Sequence, residues 1–196
     1  MDRRVLALSF IYFANITTNL GIAFFLPQII KAMGASDAQA NTISAIPFVF
    51  GIVGVIVFGW LADRMPAHRK AFVVVTLVIS AIGLAGAGLI GPSYAAVALI
   101  ALANFGIYGL KGPFWPLPSM FLTGTAAAGG IALINSVGNL GGFVGPSILG
   151  TVKDATHSYS IALYVLAGFA ALASVVSLLL RTPSTVPAEE VRAEAT

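Results

Sequence analysis

Six long runs of apolar residues with almost no charge dominate this sequence. They occupy residues 5–30, 42–62, 71–90, 94–122, 126–150 and 158–180. A helix needs about 20 consecutive apolar residues to cross the hydrocarbon core of a bilayer, and it satisfies its own backbone hydrogen bonds there. The runs therefore predict an all-α, polytopic membrane protein with six transmembrane helices.

The composition leaves no room for a separate soluble domain. Charged residues make up 9% of the chain, whereas a soluble domain carries about a quarter. Six spans with short loops account for residues 1–181, which predicts a single membrane-embedded domain. Residues 182–196 are rich in Pro, Glu and Ala, so we expect a disordered cytoplasmic tail there.

The distribution of Lys and Arg predicts how the spans are oriented. An even number of spans places both termini on one side of the membrane. Two basic residues, Lys31 and Lys153, then lie on the opposite side, and Lys111 lies inside a run. Cytoplasmic loops carry the excess of Lys and Arg, so we expect a multi-pass protein of the inner (cell) membrane with both termini cytoplasmic. The seven basic residues on the terminal side are Arg3, Arg4, Arg64, Arg69, Lys70, Arg181 and Arg192.

Several classes of function find no support in these residues. The sequence has no cysteine, and its two histidines, His68 and His157, are far apart without ligand-like neighbours. We therefore expect no metal site and no thiol chemistry. No nucleophile–base pair or carboxylate dyad occurs, so neither an enzyme nor a cofactor is expected. The basic residues form no stripe, which argues against nucleic-acid binding.

Lys111 lies within the fourth run and is followed by three prolines, at positions 113, 116 and 118. A lysine near the bilayer centre costs about 2.5–3.5 kcal/mol on insertion scales, so one interpretation is a cavity where it contacts an anionic substrate. Prolines break the hydrogen-bond ladder, and a discontinuous helix near the midplane is typical of transport sites. The alternative is that the helix ends early and the lysine side chain extends to the membrane surface.

Polar residues also concentrate in the first and fifth runs. Asn135 and Asn139 are four residues apart and so share a helix face, while Gly138 and Gly142 form a strip of small residues for close helix approach. Asn15 and Asn19 lie on one side of the first run. These amides either line a substrate site or hydrogen-bond neighbouring helices.

The loop between the second and third runs carries a charged motif at Gly59, Asp63, Arg64 and Arg69. Gly59 permits close helix contact, and Asp63 can cap the next helix or pair with an arginine. One interpretation is a latch that can be made and broken. The other is an ordinary cytoplasmic loop, which explains the arginines but not a glycine four residues before Asp63.

This loop resembles the cytoplasmic-loop motif of the major facilitator superfamily, Gly-x-Leu-Ala-Asp-Arg-x-Gly-Arg-Arg, although the motif glycine after the arginine is absent. Residues 112–118 and 130–146 are similar to helices ten and eleven of the anion:cation symporter branch, and residues 24–30 to the end of helix seven. The chain thus resembles helices seven to twelve, the C-terminal half of a twelve-helix fold. The matching loop positions are Gly59, Leu61, Ala62, Asp63, Arg64 and Arg69.

The resemblance implies proton-coupled uptake of an organic anion such as a sugar acid, tartrate or an aromatic carboxylate. It places Phe114, Trp115 and Asn139 in the substrate pocket. Residues for proton coupling lie largely in the N-terminal half of such proteins, and no Asp or Glu lies inside the six runs. The expected partners are the anion, protons, the lipid bilayer, and an N-terminal six-helix half or a second copy. The full set of candidate substrate residues is Lys111, Phe114, Trp115, Asn135, Asn139, Asn15 and Asn19.

Two hypotheses about the chain remain open at this point. It is either the C-terminal half of a transporter, or a truncated or non-transporting six-helix membrane protein. No residue pattern separates the two hypotheses.

The predicted topology is testable by cysteine labelling, because the chain has no cysteine of its own. Single cysteines at Ser36 and Ser93 should react with a membrane-impermeant thiol reagent added outside intact cells. A cysteine at Ala67 should react only after the membrane is opened, because the positively charged loop remains cytoplasmic. Labelling of the Ala67 position from outside would overturn the orientation.

Overall fold

The computed structural model describes residues 2–180, and the proposed tail at 182–196 lies outside this part of the chain. Six helices among the described residues are long and apolar enough to cross a membrane, which confirms the predicted fold class. The fourth span is divided into α4, α5 and α6, and the fifth into α7 and α8. The helices are α1 (Arg3–Lys31), α2 (Asp37–Arg64), a 3-10 turn (Pro66–His68), α3 (Arg69–Ile90), α4 (Tyr94–Gly109), α5 (Lys111–Phe114), α6 (Pro116–Ser119), α7 (Gly124–Asn139), α8 (Gly141–Thr156) and α9 (Tyr159–Leu179).

Short polar caps set where several of these helices begin. Ser36 and Gln39 form a capping box at the start of α2, with hydrogen bonds of 3.4 and 3.0 Å. The Ser93 hydroxyl accepts a hydrogen bond from the Ala96 amide at 3.2 Å and starts α4 in the same manner. Such caps satisfy amides that the first helical turn leaves without partners, so the spans extend beyond their apolar runs into the loops.

The first span lies at the centre of the bundle. The helices pack in the order α2, α4, α3, α9, α1 and then α7 with α8, and α1 also contacts α2 and α4. In its most apolar stretch, 72% of the first span is buried, against 28% for the second span and 17% for the fifth. The second and fifth spans therefore form the two flanks of the bundle and leave most of their surface uncovered.

The fourth span is interrupted at Leu110 and Trp115, as the prolines predict, but its backbone does not unwind. Leu110 (φ −57°, ψ −33°) and Trp115 (φ −64°, ψ −28°) keep right-handed helical torsions. The Phe114 amide still donates to the Leu110 carbonyl at 3.0 Å. The prolines thus remove individual N–H donors, but the backbone of the span stays helical.

Glycines allow the first and fifth spans to pack backbone against backbone. A methyl group on Gly141 would collide with the Phe13 carbonyl, and one on Gly145 would collide with the Thr17 carbonyl. One on Gly142 would collide only with the end of the flexible Leu20 side chain and would lie 3.7 Å from Ile16 Cγ2, an ordinary contact. The strip of small residues expected at 138 and 142 therefore has its closest backbone contacts at 141 and 145.

The second and fourth spans run parallel and are also joined through glycines. Gly54 packs against Phe105, and further along both helices a methyl group on Gly112 would lie 2.7 Å from the Cα atom of Gly59. A methyl group on Gly59 itself would meet nothing within 4 Å. The close contact predicted at Gly59 exists, but the residue that must be glycine is Gly112.

This difference between the two glycines predicts that alanine changes the free energy of unfolding by different amounts at the two positions. Both glycines lie in helices, where alanine is intrinsically favoured by about 0.5–1 kcal/mol. Gly112→Ala should lower the free energy of unfolding by about 1–3 kcal/mol, because the added methyl group forces the two spans apart. Gly59→Ala should be neutral or slightly stabilising. Denaturant unfolding of the purified chain in detergent measures both, and equal costs would contradict the assignment.

Candidate functional site

The bundle core consists of two apolar clusters with a polar layer between them. On α1, one cluster takes its residues from Val5 to Ile16 and the other from Ile22 to Ile30. The stretch at the boundary carries four buried polar side chains, Asn15, Thr17, Thr18 and Asn19. Buried polar groups are costly in a membrane protein unless they find partners, so this layer is a candidate for function.

Asn15 forms a hydrogen bond between α1 and α4. The Asn15 amide nitrogen donates to the Ile107 carbonyl at 2.8 Å. Asn19 follows Asn15 by one helical turn on α1, and Asn104 precedes Ile107 by about one turn on α4. Because the two helices run antiparallel, Asn19 and Asn104 lie at about the same level. The Asn15 Oδ1, Asn19 Nδ2 and Asn104 Nδ2 atoms are all buried and have no hydrogen-bond partner within residues 2–180.

Asn104 is a residue that the sequence interpretation missed. It is 1% exposed, and it stands alone in an apolar run without the i, i+4 repetition that marks Asn135 and Asn139. An unpartnered buried amide costs about 1–3 kcal/mol. The first and fourth spans therefore contain three buried asparagines, Asn15, Asn19 and Asn104, each with an amide atom that lacks a partner within residues 2–180.

An aromatic cluster lies beside the polar layer and joins three spans. The Tyr12 ring stacks on Phe114 at a centroid distance of 5.5 Å and meets the Trp115 ring edge-on at 5.0 Å. Gly138 on α7 lies directly against the same Tyr12 ring. Phe114 is fully buried, whereas Trp115 is half-buried. Tyr12 was also missed from the sequence, because a single tyrosine in an apolar run gives no periodic signal.

Lys111 lies closer to one end of its span than the sequence interpretation assumed. It follows Tyr94 by 17 residues and precedes Ser119 by 8, distances of about 26 and 12 Å along a helix. Its ammonium nevertheless lies 4.5 Å from the centroid of the Tyr108 ring, one turn back toward the centre of the span. The side chain is partly buried and contacts a residue of its own span.

Asn135 and Asn139 share one exposed face of α7, as predicted from their spacing. The Asn139 Nδ2 group donates to the Asn135 carbonyl at 2.8 Å and to the Asn135 Oδ1 atom at 2.9 Å. Within residues 2–180 they bond to each other and not to a neighbouring helix. Gly138, between them in sequence, faces α1 instead. The fifth span therefore presents its amides on an exposed face that adjoins its packed glycine face.

The loop motif is held together by Arg69. The Arg69 Nε atom donates to the Ala62 carbonyl at 3.2 Å, which links the start of α3 to the last turn of α2. Arg64 stacks on Trp60 at 4.5 Å. Asp63 is exposed and forms no ion pair with another described residue, and the Pro66–His68 turn separates it from the start of α3. The structure therefore places Asp63 in neither of its expected roles.

Comparison with known proteins assigns a family to this architecture. The model of the Major Facilitator Superfamily matches residues 8–196. A putative tartrate transporter of Agrobacterium vitis is 39% identical over 179 residues, which cover 91% of this chain and 41% of the relative. A quinolone resistance transporter of Acinetobacter baumannii is 38% identical over 166 residues, covering 84% of this chain and 38% of the relative.

The chain spans about two fifths of the length of these curated relatives, from 38% to 41%. Among solved structures, the Escherichia coli fucose:proton symporter superposes with a TM-score of 0.78 over 92% of this chain and 43% of its own. At 15% identity, this likeness concerns the fold alone. The relatives are transporters, in agreement with the prediction that the chain is not an enzyme. With its six apolar spans and a match over nearly its whole length, the chain belongs to the Major Facilitator Superfamily.

Proposed function

We propose that the chain is one half of a proton-coupled transporter that takes up an organic anion such as a sugar acid, tartrate or an aromatic carboxylate. The observation that carries this proposal is the ammonium group of Lys111, which lies within a span and has no carboxylate partner among residues 2–180. The putative tartrate transporter among the relatives supports an anionic substrate.

Lys111 differs from the two lysines at the opposite end of the bundle, which pair with carboxylates. Lys31 pairs with Asp37 at 2.8 Å and Lys153 with Asp154 at 3.6 Å, both at span ends. Lys111 has only the face of the Tyr108 ring, a contact worth about 0.5–2 kcal/mol. A substrate carboxylate would add the charge-assisted hydrogen bond that no residue within 2–180 supplies.

The other candidate residues divide into contacting and supporting groups. Trp115 is half-buried and four residues from Lys111, hence on the same helix face, and it offers a ring against which a substrate can pack. Asn135 and Asn139 are exposed and offer amide groups for hydroxyl or carboxylate oxygens. Buried Phe114 supports the Trp115 ring. Asn15 hydrogen-bonds to α4, and Asn19, one turn further along α1, extends the polar lining inward.

The flanking spans support the proposal of a partner. Large apolar side chains project from the second and fifth spans, including Ile56 at 64% exposure and Phe143 at 78%. We propose that an N-terminal six-helix half, or a second copy, covers part of this surface and completes the cavity. Because the spans lack Asp and Glu in their interiors, the proton-coupling carboxylate is assigned to that partner. The inner membrane and cytoplasmic termini form part of the same proposal.

The role of Lys111 can be tested in the assembly of this chain with its partner half. Lys111→Met should weaken tartrate binding about tenfold to a hundredfold, because one charge-assisted contact of about 1.5–3 kcal/mol is lost. Lys153→Met serves as the matched control, since it removes a lysine at a span end and should leave binding unchanged. Asn139→Ala should weaken binding less than Lys111→Met, because it removes a neutral partner. Normal tartrate binding by Lys111→Met, at normal abundance, would refute the anion site.

The need for a partner can be tested in proteoliposomes under an imposed proton gradient. The purified chain alone should not accumulate tartrate, since half a cavity cannot alternate between two sides of the membrane. Uptake should appear when a six-helix N-terminal half is co-reconstituted. Robust uptake by the chain alone would assign transport to a homodimer. No uptake in either case would support a non-transporting membrane protein.

A further inference from the structure

A cleft of about 400 Å³ opens where the first and last spans meet, at the end of the bundle that carries the N-terminus. The first span contributes Arg3, Arg4 and Ala7, and the last span contributes apolar residues. Its rim is cationic and its floor is apolar. The contributing residues of the last span are Val176, Leu179 and Leu180.

Part of the positive charge at this rim has no carboxylate partner among the described residues. Arg4 pairs with Asp2 at 2.9 Å and its guanidinium stacks over Phe121 at 4.4 Å. Arg3 forms no ion pair with another described residue. Beside the cleft, the Lys70 ammonium donates to the Leu178 carbonyl at 2.9 Å, which is a neutral acceptor. Within residues 2–180, Arg3 and Lys70 therefore carry two positive charges near the opening that no carboxylate pairs with.

The opposite end of the bundle offers a direct comparison. Its two lysines, Lys31 and Lys153, each lie within 4 Å of an aspartate carboxylate. Both ends carry lysine or arginine, but among the described residues the uncompensated charge lies at the cleft end. An anionic ligand is therefore attracted to the cleft end in preference to the other.

The position of the cleft relates it to the lipid headgroup layer. Arg3 begins the first span and Leu179 ends the last, so the rim lies where a spanning helix leaves the hydrocarbon core. Leu179 is 75% exposed and points an apolar surface outward beside the cationic rim. A free phosphate ion would use the rim alone, whereas a phospholipid would use the rim for its phosphate and the apolar floor for its acyl chain.

We propose that this cleft binds an anionic phospholipid, with its phosphate at Arg3 and an acyl chain along Ala7, Val176 and Leu179. Basic pockets between transmembrane helices at one membrane face bind acidic headgroups by the same combination of charge and apolar contact. The site lies at the outer edge of the bundle, distinct from the interior polar layer. It depends on neither the substrate nor the transport activity proposed above.

Binding can be measured with the purified full chain in nanodiscs or detergent, by native mass spectrometry with phosphatidylglycerol and phosphatidylcholine as probes. Phosphatidylglycerol should be retained in preference to phosphatidylcholine. Arg3→Gln should weaken phosphatidylglycerol binding about fivefold, the effect of one basic residue near a lipid surface. Lys31→Gln removes a positive charge at the opposite end and should have no effect. Equal retention of both lipids, or unchanged binding by Arg3→Gln, would overturn the proposal.

A second variant tests the apolar part of the site without changing charge. Ala7→Phe should fill the floor and reduce phosphatidylglycerol retention, with circular dichroism confirming that the chain stays folded. Glycerol phosphate, which lacks acyl chains, should compete poorly. Competition by glycerol phosphate equal to that of the lipid would reassign the cleft to a soluble anion. Lipid binding that appears only after residues 182–196 are removed would show that this segment excludes lipid from the cleft. Either result would refute lipid binding to the cleft of the full chain.

Discussion

Contact between helix backbones at glycine is the interaction on which the rest of this structure depends. In a bilayer, lipid tails are as apolar as leucine, so helices associate through close packing and hydrogen bonds more than through the hydrophobic effect. Here Gly141 and Gly145 bring the fifth span onto the first, and Gly112 brings the fourth span onto the second. Without the contacts at Gly141 and Gly145 the fifth span would not pack closely on α1, where Gly138 lies against the Tyr12 ring.

These close contacts also explain why the core can tolerate a polar layer. On α1, the two apolar clusters lie on either side of Asn15 and Asn19, so these amides are enclosed by well-packed helices. The hydrogen bond from Asn15 to the Ile107 carbonyl holds the layer in register. The amide atoms without partners make this region able to bind polar groups, because a new hydrogen bond removes the cost of leaving each atom unsatisfied.

The sequence was informative about the spans because bilayer thickness dictates the length of an apolar run. The helices run a few residues longer than the runs, since caps such as Ser36 lie in the polar loops. Contact residues were harder to predict. Asn135 and Asn139 repeat at helical spacing, but Tyr12 and Asn104 are single polar residues whose direction depends on which helix lies opposite. Choosing between Gly59 and Gly112 likewise requires knowing which Cα–H bond points into the contact.

The parallel course of the second and fourth spans has an electrostatic consequence for Lys111. Parallel helices direct their dipoles the same way, so the carbonyl ends of α2 and α4 lie on the same side of the membrane as the lysine. The prolines at 113, 116 and 118 also deprive the carbonyls of Gly109, Gly112 and Phe114 of their usual donors four residues later. Partial negative charge therefore accumulates at the end of the span that carries Lys111, a cation that has no carboxylate partner among the described residues. The backbone itself offsets part of the cost of holding that charge inside the span.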